Sequence, residues 1–143
     1  MDLEQALAIS SSGLSAQKQR LEIISGNLAN IETTRTAAGG PYRRKDVVFT
    51  AAPLPGSFPA MLADSTAEPA VSVSQIVTDP RPPRTVHAPQ HPDADAAGNV
   101  AFPNVNPTEE MVNMISALRS YEANITALNA TKSMLLKTLE IGK

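Results

Sequence analysis

All twelve prolines of this chain lie between Pro41 and Pro107, and neither flank contains one. A proline inside a helix removes a hydrogen bond and costs about 3 kcal/mol. Long helices are therefore barred from the middle and permitted at the two ends. In the first flank Leu7, Leu14, Leu21 and Leu28 recur every seven residues, with Leu3, Ser10, Gln17, Ile24 and Ile31 at the interleaved position. In the last flank Met111, Leu118, Ile125, Lys132 and Leu139 hold one heptad position, and Met114, Tyr121, Leu128 and Leu135 the other. Two apolar positions per heptad form a seam that a second helix can cover. The spacing predicts helix over 3–31 and over 107–141. Asp2 with Gln5, and Asn106 with Pro107 and Glu109, read as N-terminal caps. Gly142, with Lys137 and Lys143, suits a closing turn.

The middle reads as short strands and turns. Val71 to Thr78 is dense in β-branched residues, and Val47–Phe49, Arg84–Val86 and Val100–Phe102 are shorter candidates. Residues 51–69, rich in Pro, Ala, Gly and Ser, are expected to be irregular. The predicted fold is mainly α with a small β-rich insertion. Long N- and C-terminal helices pair as an antiparallel coiled coil, with an irregular Pro-rich β module between them. The boundaries are 1–35 for the first helix, 36–106 for the module and 107–143 for the second helix.

Composition removes several classes of function. Five aromatic residues and no Trp in 143 residues argue against a dense enzyme core. Twelve basic against fourteen acidic residues give a net charge of −2, which offers no basic surface for nucleic acid. Arg43-Arg44-Lys45 has only Tyr42 as a stacking neighbour and reads as a solvated loop or a subunit contact. The absence of cysteine removes thiolate metal sites, disulfides and Cys nucleophiles together. His87, His91, Asp93 and Asp95 form the one cluster with metal-ligand character. Ala97 stands where a calcium loop needs an oxygen ligand and Asn104 where it needs a bidentate Glu, so an Asp/Gly turn is the preferred reading. Ser10, Ser11 and Ser12 have no base in a recognisable catalytic arrangement. Neither an enzyme nor a bound cofactor or metal is expected. Asp2 and Glu4 occupy positions where a cleaved secretory signal carries basic residues, and no apolar run approaches a membrane span.

The helices carry more apolar surface than one pair needs. The seam is assigned to Leu7, Leu14, Leu21, Ile24 and Leu28 against Met111, Met114, Leu118, Tyr121, Ile125, Leu128, Leu135 and Leu139. Ile9, Ala16 and Ile23 make a second seven-spaced stripe, and Ile115, Met134, Leu136 and Ile141 also lie off the seam. A solitary two-stranded coil would place polar residues there. Ile9, Ile23, Asn27, Asn30, Arg43, Arg44, Ile115, Met134, Leu136 and Ile141 are therefore expected to contact other subunits.

Ser12-Gly13-Leu14-Ser15-Ala16-Gln17, Arg20-Leu21, Asn27-Leu28-Ala29-Asn30 and Thr33-Thr34 resemble the N-terminal signature of bacterial flagellar rod and hook proteins. Residues 41–49, His91-Pro92-Asp93-Ala94-Asp95, residues 100–107, Tyr121-Glu122-Ala123-Asn124 and Leu139-Glu140-Ile141-Gly142 resemble the proximal-rod branch of that family. The resemblance covers about residues 9–50 and 86–142. It implies a structural subunit of the flagellar basal body, exported by the flagellar type III apparatus without a cleaved signal. Such a subunit assembles in the periplasm with copies of itself and other rod proteins, its terminal helices lining the inner layer and ordering on assembly. The alternative from another class is a secreted or periplasmic binding module displayed on a helical hairpin.

Overall fold

The computed structural model describes residues 3–53 and 69–141. Its elements run α1 (Leu3–Ala29), β1 (Lys45–Pro53), β2 (Pro69–Thr78), β3 (Arg84–His87), β4 (Asn99–Phe102) and α2 (Pro107–Ile141). Both long helices fall in the two flanks, with Pro107 as the first residue of α2 and no other proline in either. Asp2, Gly142 and Lys143 lie outside the described residues.

Local chemistry sets the helix ends. Asn106 caps α2, its Oδ1 accepting from the Thr108 N–H at 3.0 Å, with Pro107 at the first helical position. At the same end of the helix pair α1 stops at Ala29 rather than 31 because Asn30 turns its side chain back. Its Nδ2 donates to the Gly26 carbonyl at 2.8 Å and its Oδ1 accepts from Thr33 Oγ1 at 3.1 Å. The chain then reverses between Thr36 and Gly40, where Gly39 and Gly40 have φ of 85° and 75°. Two consecutive left-handed residues require glycine.

α1 and α2 lie side by side and antiparallel. Asn27, near the end of α1, bonds to Glu110 in the first turn of α2, and Gly13 sits against Asn124 further along. These two contacts share one register, since each step back along α1 is met by the same step forward along α2. α1 carries the β1–β2 hairpin as well, so it has neighbours of two kinds, whereas α2 packs on α1.

β1 and β2 pair antiparallel from Lys45↔Thr78 to Pro53↔Pro69, with a bulge between Val48 and Phe49. The expected irregular stretch is therefore shorter than 51–69. Ala51, Ala52 and Pro53 continue β1, and Pro69 opens β2. Ladder pairing with Val71 and Ala70 carries the two alanines despite their weak β propensity. The prolines sit at the last described rung, where a missing N–H is tolerated. The part of that stretch over 54–68 lies outside the described residues. Ser12 Oγ on α1 accepts from the Val71 N–H at 3.1 Å and so fixes β2 to the helix.

Residues 79–83 lead into the second hairpin, β3–β4, paired from Arg84↔Phe102 to His87↔Asn99. Asp79 accepts from Arg81 Nε at 2.8 Å and from the Arg81 N–H at 2.9 Å. These bonds lower its carboxyl from 3.8 to about 2. Within the hairpin loop Asp95 Oδ1 accepts from the N–H groups of Ala97 (2.9 Å) and Asn99 (2.8 Å), and Gly98 has φ of 76°. Asp93 accepts from Thr34 Oγ1 at 2.8 Å, which ties the loop to the segment after α1. His91 Nδ1 accepts from the Asp93 N–H at 3.1 Å and its ring meets Phe102 edge-on at 5.9 Å. Of the four residues with ligand character, His91, Asp93 and Asp95 are thus engaged in shaping the loop, and His87 Nδ1 meets Asn99 Oδ1 at 3.3 Å across the hairpin. Val100 and Pro103 are almost completely buried, giving this hairpin its anchor.

Gly98→Ala places a Cβ 3.0 Å from His87 Cε1 and 3.1 Å from Pro89 Cβ at a left-handed φ, and should lower stability by about 1–3 kcal/mol in urea unfolding. Gly26→Ala meets nothing within 4 Å and lies in α1, so the same assay should show a gain of about 0.5–1 kcal/mol. Because Asp79 titrates lower in the folded chain than unfolded, its contribution is present above about pH 4 and disappears as pH falls toward 2. Carboxyl NMR should find its midpoint near 2 and move it back toward 3.8 in Arg81→Ala.

Candidate assembly surface

The inner face of α2 is made of small and polar residues alternating with large ones. Ala117 is completely buried, Glu110 and Thr131 are buried, and Met114, Tyr121, Asn124, Leu128 and Leu135 are half-buried. Of the residues assigned to the α2 seam, Met114, Tyr121, Leu128 and Leu135 thus face inward. Met111, Leu118, Ile125 and Leu139 do not: their exposures run from 38% at Ile125 to 69% at Leu139. The second inward position is held one residue earlier in each heptad, by Glu110, Ala117, Asn124 and Thr131. The reason is close approach. A Cβ on Gly13 would lie 3.0 Å from Asn124 Nδ2, so at that crossing the helices leave little room for a larger group on α1.

α1 follows the same rule. Ala16, Ile24 and Asn27 are buried, while Leu7, Leu14, Leu21 and Leu28 are half-buried, one step around the helix from Gly13 and Asn27. Ile9 and Ile23 are half-buried too. The outer flank of α2 gathers Met111, Ile115, Leu118 and Ile125 at helical spacing, continued by Leu136 and Leu139, with Met134 also exposed. The side chain of Ile141 lies outside the described residues. A run of large apolar groups this long, uncovered on one helix flank, has the character of a packing surface.

Four polar residues expected at subunit contacts divide differently. Arg43 is exposed, and Asn30 caps its own helix. Asn27 is completely buried, and all four hydrogen-bonding sites of its amide are used within the chain. Its Nδ2 donates to the Lys45 carbonyl (2.8 Å) and to Glu110 Oε2 (2.9 Å). Its Oδ1 accepts from the Lys45 N–H (2.9 Å) and from Tyr42 Oη (3.0 Å). Arg44 turns inward, its Nε on Glu110 Oε1 at 2.8 Å and its Nη1 on Asp46 at 3.0 Å. Burial alone would lower the Arg44 pKa; the bonds to Asp46 and Glu110 outweigh it and hold the guanidinium more firmly protonated than usual. Burial, then the Glu110 charge, pushes the Tyr42 hydroxyl upward, keeping it protonated as a donor to Asn27. Asn27 thus has no hydrogen-bonding site left for a neighbour.

Glu110 was not singled out from the sequence, which pointed to Glu109 as the helix-capping acid. The signal was the seven-residue repeat of small or polar groups at 110, 117, 124 and 131, running beside the apolar repeat.

The fold is thus two long packed helices joined by a β-containing middle, with an uncovered apolar flank on α2. Two family models agree: "Flagella basal body rod protein" matches residues 7–35, and "Flagellar basal body rod FlgEFG protein C-terminal" matches residues 96–141. Flagellar basal-body rod protein FlgC of Yersinia enterocolitica is 47% identical over the whole of both chains. The Bacillus subtilis FlgC is 45% identical, covering 96% of this chain and 97% of its own, and the Salmonella typhimurium FlgC is 42% identical over both full lengths. The chain belongs to the FlgC family of flagellar basal-body rod proteins.

Asn27→Asp keeps the shape but replaces two donors with acceptors facing the Lys45 carbonyl and the Glu110 carboxylate. It should cost about 3 kcal/mol or more in urea unfolding of the purified chain. Arg43→Ala, at an exposed position, should stay within about 0.5 kcal/mol in the same assay.

Proposed function

We propose that this chain is a structural subunit of the proximal part of the flagellar rod, part of the shaft that carries torque, and that it performs no chemical reaction. The full-length similarity to FlgC proteins carries this reading. In it, the chain reaches the periplasm through the flagellar type III apparatus and joins copies of itself and other rod proteins in the basal body. The apolar flank of α2 is the lateral contact: Met111, Ile115, Leu118, Ile125, Leu136 and Leu139 pack against helices of neighbouring subunits. Ile9, Ile23 and Arg43 are further contacts, and the segment 36–106 stands as an outer module between the two helical segments, 1–35 and 107–143. Heptad spacing on that flank suits a neighbouring helix crossing at a shallow angle, side chains of one filling gaps of the other. A binding module on a helical hairpin is not favoured, since the relatives that match over their full length are rod proteins.

Leu118 is 44% exposed, so Leu118→Asp should leave the chain's own helicity unchanged by circular dichroism. In cells carrying it as the only copy, motility and recovery of rods from isolated basal bodies should be lost, because assembly would bury an unpaired charge. Normal swimming of that strain would contradict the lateral role of this flank.

A further inference from the structure

The apolar pattern of the helix pair repeats every seven residues on both sides. α1 presents Leu7, Leu14, Leu21 and Leu28, and α2 presents Met114, Tyr121, Leu128 and Leu135. Sliding α2 by one heptad would set each large side chain where its neighbour stood, and α2, at 35 residues against 27, is long enough to slide. Apolar burial by itself therefore discriminates poorly between registers. Registers are told apart by seam groups that do not repeat, and two of these lie where the helices touch. Glu110 is the only acid on the inner line of α2, where Ala117, Asn124 and Thr131 follow it, and Gly13 receives Asn124 so closely that a Cβ there would lie 3.0 Å from its Nδ2.

We propose that the Asn27–Glu110–Arg44 cluster is the register lock of the helix pair, and that it ties the base of the β1–β2 hairpin to that register. After a one-heptad slip Asn27 would face Ala117, and Glu110 would pass beyond Asn27 and lose its bond. Arg44, whose side chain is 12% exposed, would keep only Asp46. A buried charge stripped of its partner is costly, whereas an apolar pair in the same space need not be. The second half of the device follows from Lys45. Its backbone N–H and carbonyl both bond the Asn27 amide, so the first residue of β1 is held to α1 as if by one more rung of a sheet. Arg44, the residue before it, reaches the first turn of α2. The hairpin's base thus senses where α2 sits. Helix docking and hairpin orientation become one event.

The chain has no cysteine, so the register can be read by introduced pairs. Gly13→Cys with Asn124→Cys reports the present register. Gly13→Cys with Thr131→Cys, in an Asn124→Ala background that relieves crowding at the new Cβ, reports the slipped one. One heptad is about 10 Å along the helix, beyond the reach of a disulfide, so the pairs do not cross-report. The full-length chain is oxidised mildly, and the ratio of the two cross-links is measured. The expected ratio favours the first pair by more than about tenfold. In Arg44→Met with Glu110→Met it should fall toward about one, with helicity retained. If that double variant loses helicity, Arg44→Met alone is decisive and should lower the same ratio. A cross-link ratio near one in the parent chain overturns the proposal, as does an undiminished ratio in the decisive variant.

Discussion

One side-chain amide holds together three segments that are far apart in the sequence. Asn27 closes α1, Lys45 opens β1 and Glu110 opens α2, and the four bonds of Asn27 meet all of them or their immediate neighbours. No other side chain would serve as well. The site needs two donors and an acceptor that takes two bonds, in a plane short enough to match a backbone peptide, and asparagine alone supplies that without charge. Tyr42 and Arg44 then complete the surrounding valences, so a completely buried amide and a buried carboxylate leave no orphaned group there. Strand β1 begins where it does because its first peptide is answered by this amide.

The use of small groups along the helix contact has an energetic consequence. Gly13, Ala16 and Ala117 let the helices approach closely, which favours dispersion contact but buries little apolar area per residue. The large residues that would bury more are placed one step around, half-covered on α1 and largely open on α2. Specificity is thus concentrated inside the chain and much of the available apolar area outside it. For the proposed rod subunit this is a useful division, since a helix pair that satisfied itself would have little to offer a neighbour.

Proline distribution and heptad spacing carried enough information to place both helices, and β-branched clusters located all four strands. The wall came at side-chain direction. Reading seams by the largest apolar residues selected Met111, Leu118, Ile125 and Leu139, because burial of area is the usual reason for a periodic stripe. Close approach at Gly13 reverses that logic and favours Ala117 and Thr131, whose smallness is invisible to a hydrophobicity count. The intramolecular bonds of Asn27 and Arg44 are hidden for a related reason. A polar residue near a helix end and an arginine in a basic run both look solvated until an acid 66 residues beyond Arg44 is brought alongside. Long-range pairing of single polar groups leaves no period in a sequence. The hairpin past Ala51 was hidden because alanine and proline are weak strand formers, and cross-strand partners decide such rungs.

Repetition and uniqueness make opposing demands on a chain built this way. A heptad repeat gives neighbouring helices equivalent footholds along their length, which suits packing into a larger array. The same equivalence would let a chain's own two helices settle in more than one alignment, each burying comparable apolar surface. A repeat cannot resolve that ambiguity, because resolution requires a position unlike the others. Polar groups are suited to the task, since a misplaced methyl loses little whereas a misplaced carboxylate loses all its partners at once. Placing the odd residues at the end of α1 and the start of α2, beside the first rung of β1, makes one mismatch detectable by helix and hairpin together. A proposed load-transmitting subunit gains from this arrangement, because a module whose orientation follows the helix alignment cannot turn independently of it.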